Sequence, residues 1–476
     1  MARYEQITQA ELRARPAPHL VWTLVIASIA YCLVVLDYLV VVTALPSAQR
    51  ELHVGLPTLQ WAVNSYGITF AAGILIAASF GDRWGRRRVF ASGLALFTAA
   101  SAACALAPGA WELIAARAIQ GLGGAVVLPL SLTILTDAFP VERRGAIVGV
   151  YTGVAGVAVA AAPLLGGFIT EALTWHWVFW INVPLGGVAF VLALRLIAES
   201  YGVAEPLDLF GVAMITAGVT ALVWALVRAN DVGWASGEVA GSVVLGVALV
   251  AAFFFWEARD ANPMLPLDLL RLPVFAAGNV TSLLIGATIA GPFFIVQYFQ
   301  FGLGYSPFNS GLRLLPYFIT PAIFAPIAGA LLARIGSRVM AVAGLGLQAV
   351  GLVAVVVLVG AHSSYVPLAV ALFVTGVGAS IMIPPVQVAV ISAVTPEQIG
   401  KASGVFTTLL RFGTVLGIAL GTALFVQVGN LRSPAAVGSG TQLALGLCVV
   451  LSLVAAVAGA LLPGRAAGKS AELQLG

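Results

Sequence analysis

The chain has 476 residues, of which 61% are hydrophobic and only 9% are charged. Because a soluble globular protein carries about 25% charged residues to cover its surface, this composition excludes the soluble classes and indicates that lipid is the solvent. The formal net charge of +4 identifies no partner, and nucleic-acid binding is not expected.

Fourteen apolar stretches, each bounded by charged residues, Pro or Gly, follow one another along the chain. As helices they can cross about 30 Å of hydrocarbon at about 1.5 Å per residue, whereas an open sheet would leave backbone groups unpaired in lipid. The polar first 20 residues show no cleavage signal, so we expect the first helix to be retained. The predicted helices of this all-α integral membrane fold cover residues 20–45, 58–80, 88–107, 111–136, 144–170, 176–197, 208–229, 236–257, 274–297, 308–333, 338–360, 364–391, 402–427 and 441–463.

The positions of the 23 Arg and Lys residues test this order of helices. With the N-terminus in the cytoplasm, 17 of them fall on cytoplasmic segments, as the positive-inside rule requires. The exceptions are, on outer segments, Arg50, Arg228 and Arg432 and, within helices, Arg117, Arg313 and Arg411. We therefore predict a multi-pass protein of the cell (inner, cytoplasmic) membrane with both termini in the cytoplasm.

An internal repeat suggests two related halves. The sequence GDRWGRR at 81–87 follows the second predicted helix, and ARIGSR at 333–338 follows the tenth. Parallel-repeat transporters pack two such halves around a central cavity. The predicted domains are an N-terminal six-helix half at 1–200, two inserted linker helices at 201–272 and a C-terminal six-helix half at 273–476.

Four stretches are sequence motifs rather than generic apolar helix. They are the loop GDRWGRR at 81–87, RAIQGLGGA at 117–125, Leu-Asp to Ala-Leu-Pro across 36–46, and the fifth-helix residues Gly156, Pro163, Gly166 and Gly167. On these motifs the sequence resembles the major facilitator superfamily, specifically its fourteen-helix drug:proton antiporters, over nearly the whole chain.

The resemblance implies a role for each motif. Asp82, Arg83, Gly85 and Arg87 correspond to a loop that acts as a conformational latch between helix ends in that family, and Arg117 to an arginine that couples protons. The fifth-helix motif is typical of exporters, in which it controls leak and direction. From the residues alone, the loop arginines fit the positive-inside rule, and the glycines fit tight helix packing.

The sequence departs from this family at small, identifiable positions. Leu39 and Val42 stand where the first-helix motif usually has Thr and Asn, which favours a less polar substrate. Ala78 and Ala162 each replace a glycine, so one small residue stands for another.

Asp37 is the acidic residue placed well inside a predicted helix. An ionised carboxylate is unfavourable at that depth, so an intramembrane Asp is by default a functional residue. Asp37 and Arg117 lie about 13 and about 10 Å below the outer boundary, which permits an ion pair. Arg411, near mid-membrane, is a C-terminal candidate for the same proton-coupling role. The alternative for Asp37 and Arg117 is bonding that only stabilises the bundle, and for Arg411 both helix–helix bonding and a substrate role stay open.

A substrate cavity should be mostly apolar with a few polar groups. Taken singly, each aromatic or amide residue within the helices also fits ordinary packing or an interfacial belt. The candidate set is Trp61, Asn64, Tyr66, Phe70, Asn279, Phe293, Phe294, Gln297, Tyr298, Tyr317 and Phe318.

These features predict a proton-coupled antiporter that exports small lipophilic or amphiphilic compounds by alternating access. Its partners would be the substrate, protons and the lipid bilayer. No cofactor or metal is expected: the histidines lie near helix ends or loops, and the chain lacks a P-loop in strand–helix context. The alternatives are a proton-coupled uptake symporter and, in another class, an intramembrane enzyme or receptor, which should show several convergent acids or a nucleophile with its base.

Overall fold

The computed structural model describes residues 17–139, 141–202, 208–260, 263, 267–360, 364–395, 398–431 and 433–464. The polar stretch before residue 17 and Arg432, both used to predict the orientation, lie outside these ranges. Regular structure in the described chain is helical.

The α-helices are numbered here in chain order. They are α1 Ala17–Leu52, α2 Leu56–Trp84, α3 Arg86–Ala105, α4 Ala110–Ala138, α5 Val141–Ala172, α6 Trp177–Trp180, α7 Asn182–Leu196, α8 Leu209–Val232, α9 Gly237–Glu257, α10 Pro273–Thr288, α11 Gly291–Gln297, α12 Pro307–Phe318, α13 Thr320–Ile335, α14 Ser337–Gly360, α15 Tyr365–Ser392, α16 Ile399–Val428 and α17 Pro434–Gly459. A 3₁₀ turn covers Leu267–Arg271 and a π turn covers Tyr298–Gly302.

Length and composition decide which of these helices can span a membrane. Among the described residues, 12 helical stretches are long and apolar enough. Helices α2 and α5 are not among the 12, although they have 29 and 32 residues, and the Gly156–Ala172 part of α5 is apolar. The all-α membrane fold is thus confirmed, while the count of fourteen spans stays a prediction.

Proline accounts for one interruption that the sequence analysis did not predict. The predicted helix 308–333 is two helices, because α12 ends at Phe318 and α13 begins at Thr320. Pro316 and Pro321 flank this junction, and proline lacks the N–H that continues a helical hydrogen-bond ladder. Conversely, α1 continues through Pro46 to Leu52, beyond its predicted end at residue 45.

Two groups of helices pack within themselves. We call α1–α7 the N half, in which α4 contacts α2 and α3, α1 contacts α5, and α3 contacts α7. We call α10–α17 the C half, in which α10 contacts α16 and α14 contacts α15 and α17. The halves meet where α5 packs on α12 and where α2 packs on α16.

The bundle has two ends, named here by their landmarks. The motif side carries the start of α1 and the 81–87 loop, and the far side carries the end of α1 and the start of α12. On the far side, Gln300 Nε2 donates to the Thr43 carbonyl oxygen at 3.0 Å, and the Phe308 N–H donates to Glu171 Oε2 at 3.1 Å. Polar contacts therefore join the two halves on the far side.

Helix α8 lies where the halves meet, and α9 packs on α8. Apolar side chains of α2, α8 and α16 form one cluster that includes Ile68, Val223 and Val415. The Trp61 and Trp224 rings add a contact with centroids 5.9 Å apart. The first of the two predicted inserted helices thus contacts both halves along the α2–α16 boundary.

Candidate functional site

Asp37 is the centre of a buried polar network inside the N half. Its Oδ2 accepts a hydrogen bond from Arg117 Nη1 at 2.6 Å, and its Oδ1 accepts from Gln120 Nε2 and Asn182 Nδ2, each at 2.8 Å. The side chains of Asp37 and Arg117 are both 0% exposed. Three helices, α1, α4 and α7, therefore supply one closed set of partners for a single carboxylate.

Arg117 has further partners besides Asp37. Its Nε donates to the Ala62 carbonyl oxygen at 3.2 Å, and its Nη1 also donates to Gln120 Oε1 at 2.7 Å. Its Cζ lies 4.2 Å from the centroid of the Tyr66 ring, close enough for a cation–π interaction. Nη2 is buried and has no hydrogen-bond partner in the described part of the chain.

The surroundings of this ion pair explain how it can exist in an apolar bundle. Two buried charges are tolerated only when good geometry and additional hydrogen bonds offset their lost hydration. The amides of Gln120 and Asn182 supply such bonds to the carboxylate. Removal of either charge would leave the other uncompensated, which costs about 3–5 kcal/mol.

Asn182 is a network member to which the sequence analysis assigned no role. It also donates to Ser101 Oγ at 3.1 Å, and Ser101 in turn donates to the Phe179 carbonyl oxygen at 2.9 Å. Asn182 lies in an Ile-Asn-Val-Pro stretch that stands out among apolar residues. Ser101 carries no such signal, because small hydroxyl residues are common in membrane helices.

A cavity of about 350 Å³ lies between the two halves. Its wall is mostly apolar and aromatic, as expected for a small-molecule site. Its lining comes from Tyr31, Val34, Val35, Tyr38, Leu39, Tyr66, Gly67, Phe70, Leu128, Val159, Ile289, Tyr317, Phe318, Thr320, Pro321, Ala325, Gly376, Ala379, Ser380, Ile383, Pro384 and Arg411. Leu39, the apolar departure from the first-helix motif, belongs to this wall.

Tyr66 connects the cavity with the buried network. It lines the cavity and its ring stacks under Arg117. Tyr38, next to Asp37 in sequence, also lines the cavity, and its ring centroid lies 5.8 Å from that of Tyr66. The ion pair therefore lies behind the cavity wall and does not line it.

Arg411 reaches the cavity from the C half. Its Cζ lies 5.4 Å from the Tyr38 ring centroid and 5.1 Å from that of Phe70. Asp37 and Arg117, the other two predicted proton-coupling residues, pair with each other. The structure therefore brings two of the three together and places Arg411 against the Tyr38 and Phe70 rings.

The predicted substrate residues fall into two groups. Tyr66, Phe70, Tyr317 and Phe318 line the cavity. The residues placed elsewhere are Trp61, Asn64, Asn279, Phe293, Phe294, Gln297 and Tyr298. Trp61 packs on Trp224, and Phe294 stacks on Phe425. The presence of an aromatic residue in a predicted helix therefore did not indicate whether that residue lines the cavity or packs in the core.

The loop after α2 forms ion pairs confined to the N half. Asp82 Oδ1 lies 2.7 Å from Arg86 Nη2, and Arg86 Nη1 lies 3.0 Å from Asp137 Oδ2. Arg83, a predicted latch residue, is exposed. Asp82 thus pairs with Arg86 and not with Arg83 or Arg87.

The remaining latch residues meet Glu199. Arg87 Nε lies 3.5 Å from Glu199 Oε2, and the Arg87 backbone N–H donates to Glu199 Oε1 at 2.8 Å. Gly85 has φ of 99°, which favours glycine, and a Cβ there would lie 2.8 Å from the Glu199 carboxyl group. The loop is fixed to the segment that follows α7.

The fifth-helix motif lies where the halves touch. A Cβ on Gly156 would lie 3.3 Å from Ala322 Cα, and one on Gly167 would lie 2.6 Å from Phe308 Cα. Gly166 faces α1, and a Cβ on Gly166 would lie 2.8 Å from the Val40 carbonyl oxygen. The Pro163 carbonyl group contacts Gly311 of α12. These small residues allow close helix approach.

Two helical halves around a cavity, with a buried ion pair behind its wall, define the class of secondary membrane transporters. The family model of the Major Facilitator Superfamily matches residues 27–293 and 277–474. This chain belongs to the Major Facilitator Superfamily.

Relatives and solved structures agree with this assignment. The multidrug resistance protein Stp of Mycobacterium tuberculosis is 35% identical over 418 residues, which cover 87% of this chain and 77% of Stp. A cephamycin export protein of Amycolatopsis lactamdurans is 36% identical over 426 residues, 87% of each chain. A crystal structure of a D-xylose-proton symporter superposes with a TM-score of 0.67 at 14% identity, covering 94% of this chain and 99% of that one, and shows the shared fold.

Proposed function

We propose that this protein exports small lipophilic or amphiphilic compounds, drugs and antibiotics among them, in exchange for protons. Its similarity to a multidrug resistance protein and to a cephamycin export protein supports export. The apolar, aromatic cavity between the halves supports a lipophilic substrate.

The Asp37–Arg117 pair behind the cavity wall is the observation that carries the proton coupling. Protonation of Asp37 removes the negative charge that holds Arg117 Nη1, so the two states of the carboxyl group favour different positions of the Arg117 side chain. Tyr66 contacts Arg117 and also lines the cavity. A substrate that packs on Tyr66 therefore acts on the same side chain as the proton.

Alternating access requires the far-side contacts between the halves to break. Proton binding at Asp37 and substrate release would accompany that opening. The α5 glycines, which permit the closest approach to α12, would limit leak, and the 81–87 loop would act as a latch that holds α2, α3 and α4 as one body during the movement.

The same proposal includes the arrangement in the membrane. Helices α2 and α5, each at least 29 residues long, would supply two further spans and bring the total to fourteen. The arginine-rich motif side would face the cytoplasm, with both termini on that side of the cell membrane.

The proposal is tested by proton movement in inverted membrane vesicles. A panel of lipophilic compounds, neutral and of either charge, is added to energised vesicles that contain wild type or Asp37→Asn. We expect at least one compound to collapse the pH gradient through wild type, and the response of Asp37→Asn to fall at least tenfold, since the variant cannot carry a proton at this position.

Asp268→Asn is the matched control, because Asp268 is an acid with an 88% exposed side chain and should respond like wild type. If Asp37→Asn retains the full response, coupling does not involve Asp37. If protons enter only when substrate enters from the same side, the protein is an uptake symporter and the export proposal is wrong.

A further inference from the structure

Arg411 is the only charged side chain among the described residues that line the cavity. The other lining residues are apolar, aromatic or neutral polar, with hydroxyl groups from Tyr31, Thr320 and Ser380 among them. The cavity is thus not electrically neutral: it holds one fixed positive charge supplied by α16.

No carboxylate in the described chain forms an ion pair with Arg411. Asp37 is fully buried and committed to Arg117, Gln120 and Asn182. The Nε of Arg411 is also buried without a hydrogen-bond partner among the described residues. Arg117 and Arg411 differ in this respect, since Arg117 has its counter-ion in Asp37 and Arg411 has none among the described residues.

The rings of Tyr38 and Phe70 stabilise the unpaired positive charge of Arg411 only in part. Each ring face attracts a cation through its quadrupole but provides no charge and no acceptor for the guanidinium N–H groups. A guanidinium in an apolar wall is stabilised far better by an anion that accepts two parallel hydrogen bonds. An anionic group is therefore the partner that matches Arg411 in both charge and hydrogen-bond geometry.

We propose that the cargo of this cavity is an amphiphilic organic anion, with one carboxylate or similar delocalised anionic group and an apolar, ring-containing body. The anionic group binds the guanidinium of Arg411, and the body packs on the aromatic wall that includes Tyr31, Tyr317 and Phe318. The inference rests on the proposed function in one respect, that this cavity is the transport cavity.

The same charge disfavours the opposite class of cargo. A lipophilic cation in the cavity would meet Arg411 at short range in a medium of low dielectric constant, where like charges repel strongly. Asp37 cannot relieve this repulsion while it is bonded to Arg117 behind the wall.

Binding of three probes with the same naphthalene body tests the proposal. They are naphthalene-2-acetate, its neutral methyl ester and 2-naphthylethylammonium, measured by equilibrium dialysis against the full-length protein in nanodiscs, with empty nanodiscs subtracted. We expect the acetate to bind wild type at least tenfold more tightly than the ammonium compound. Equal affinities within twofold, or no binding of the acetate, would overturn the proposal.

Two variants of Arg411 separate charge from folding. Arg411→Gln should weaken acetate binding at least tenfold and change binding of the ester less than twofold, whereas Arg411→Lys should keep the preference for acetate over ammonium. Arg313→Gln is the control, since Arg313 is an intramembrane arginine on α12 whose Cζ lies 3.9 Å from the Tyr305 ring centroid, and it should behave like wild type. Equal losses for acetate and ester in Arg411→Gln would show a purely structural role and overturn the proposal.

The outcome is independent of proton coupling. If the acetate binds through Arg411 but moves no protons in vesicles, the cargo class stands and antiport fails. If the ammonium compound moves protons and the acetate does not bind, antiport stands and the cargo class is wrong.

Discussion

At the scale of residues, the Asp37 network owes its stability to neutral amides as much as to the ion pair. Gln120 and Asn182 both donate to Oδ1 of the carboxylate, and Asn182 is itself fixed by Ser101 on α3. Hydrogen bonds to a charged group contribute about 1.5–3 kcal/mol, more than bonds between neutral groups. The amides thus set the orientation in which Asp37 meets Arg117.

Asn182→Ala should lower the free energy of unfolding by about 1.5–3 kcal/mol, because it removes one bond to a buried carboxylate. Arg117→Ala should lower it by about 3–5 kcal/mol, because it leaves the carboxylate without its counter-charge. Both are measured by denaturant titration of the purified protein in micelles.

Ser439→Ala, at an exposed helix position, serves as the reference and should change stability by less than about 0.5 kcal/mol. Equal stability of Asn182→Ala and wild type would mean that water or another side chain replaces the amide, so that Asn182 does not orient Asp37.

The sequence permitted the Asp37–Arg117 ion pair and indicated only part of its surroundings. Depth along two helices, counted from their ends, was enough to place Asp37 and Arg117 at similar levels. The sequence could not place Asn182 beside them. The packing of the whole N half determines which faces of α1, α4 and α7 meet. Tyr31 and Tyr38, seven residues apart and hence on one helix face, were a detectable signal of the cavity wall that was missed.

At the scale of helices, the glycines of α5 and α12 decide how closely the halves approach, because these positions have no side chain. A Cβ on Gly311 would lie 2.7 Å from the carbonyl carbon of Pro163 and still closer to its oxygen. Because the obstacle is backbone, no side chain can rotate away, and the helices themselves must separate. Overpacking of this kind costs about 1–3 kcal/mol.

Gly311→Ala should therefore open the far side. A cysteine in place of Gln300, in a chain whose three native cysteines are replaced by serine, reports this opening through its reaction with an impermeant maleimide applied from the far side. We expect the labelling rate to rise at least fivefold when Gly311→Ala is added.

Gly153→Ala on α5 is the matched control, since a Cβ there meets nothing within 4 Å, and it should leave the rate unchanged. An unchanged rate in Gly311→Ala as well would mean that the α5–α12 contact does not hold the far side closed.

Helix positions were largely predictable because hydropathy and the placement of basic residues are local properties of the sequence. The division of one predicted helix into α12 and α13 was not predicted, although Pro316 and Pro321 mark it. Proline within a membrane helix does not always end it, as Pro46 inside α1 demonstrates. Neighbouring helices decide which outcome occurs, and their positions are not encoded locally.

At the scale of the whole molecule, the proposed proton site and the cavity's fixed charge belong to different halves. Asp37 and all its partners lie in the N half, and Arg411 lies in the C half. If an organic monoanion leaves while one proton enters, each movement transfers one positive charge inward. Each charge gains about 2.3 kcal/mol per 100 mV of membrane potential, so the exchange of two charges gains about 4.6 kcal/mol per 100 mV.

Export of naphthalene-2-acetate should therefore slow when valinomycin and potassium abolish the membrane potential at a fixed pH gradient. The neutral methyl ester moves only the charge of the proton, so its export should slow less. Rates are measured as accumulation of each compound in inverted vesicles. Equal slowing of both compounds would show that the acetate crosses in its neutral, protonated form.

The separation of Asp37 from Arg411 also bears on how such proteins diversify. If Asp37 couples protons and Arg411 selects the charge of the cargo, changes near Arg411 can accumulate in the second part of the gene and alter the preferred charge, while the first part preserves the proton coupling. A recombination event between α7 and α10 would exchange Arg411 and the C-half part of the cavity wall without exchanging Asp37. The boundary between the halves is thus a natural crossover point for producing new specificities from existing genes.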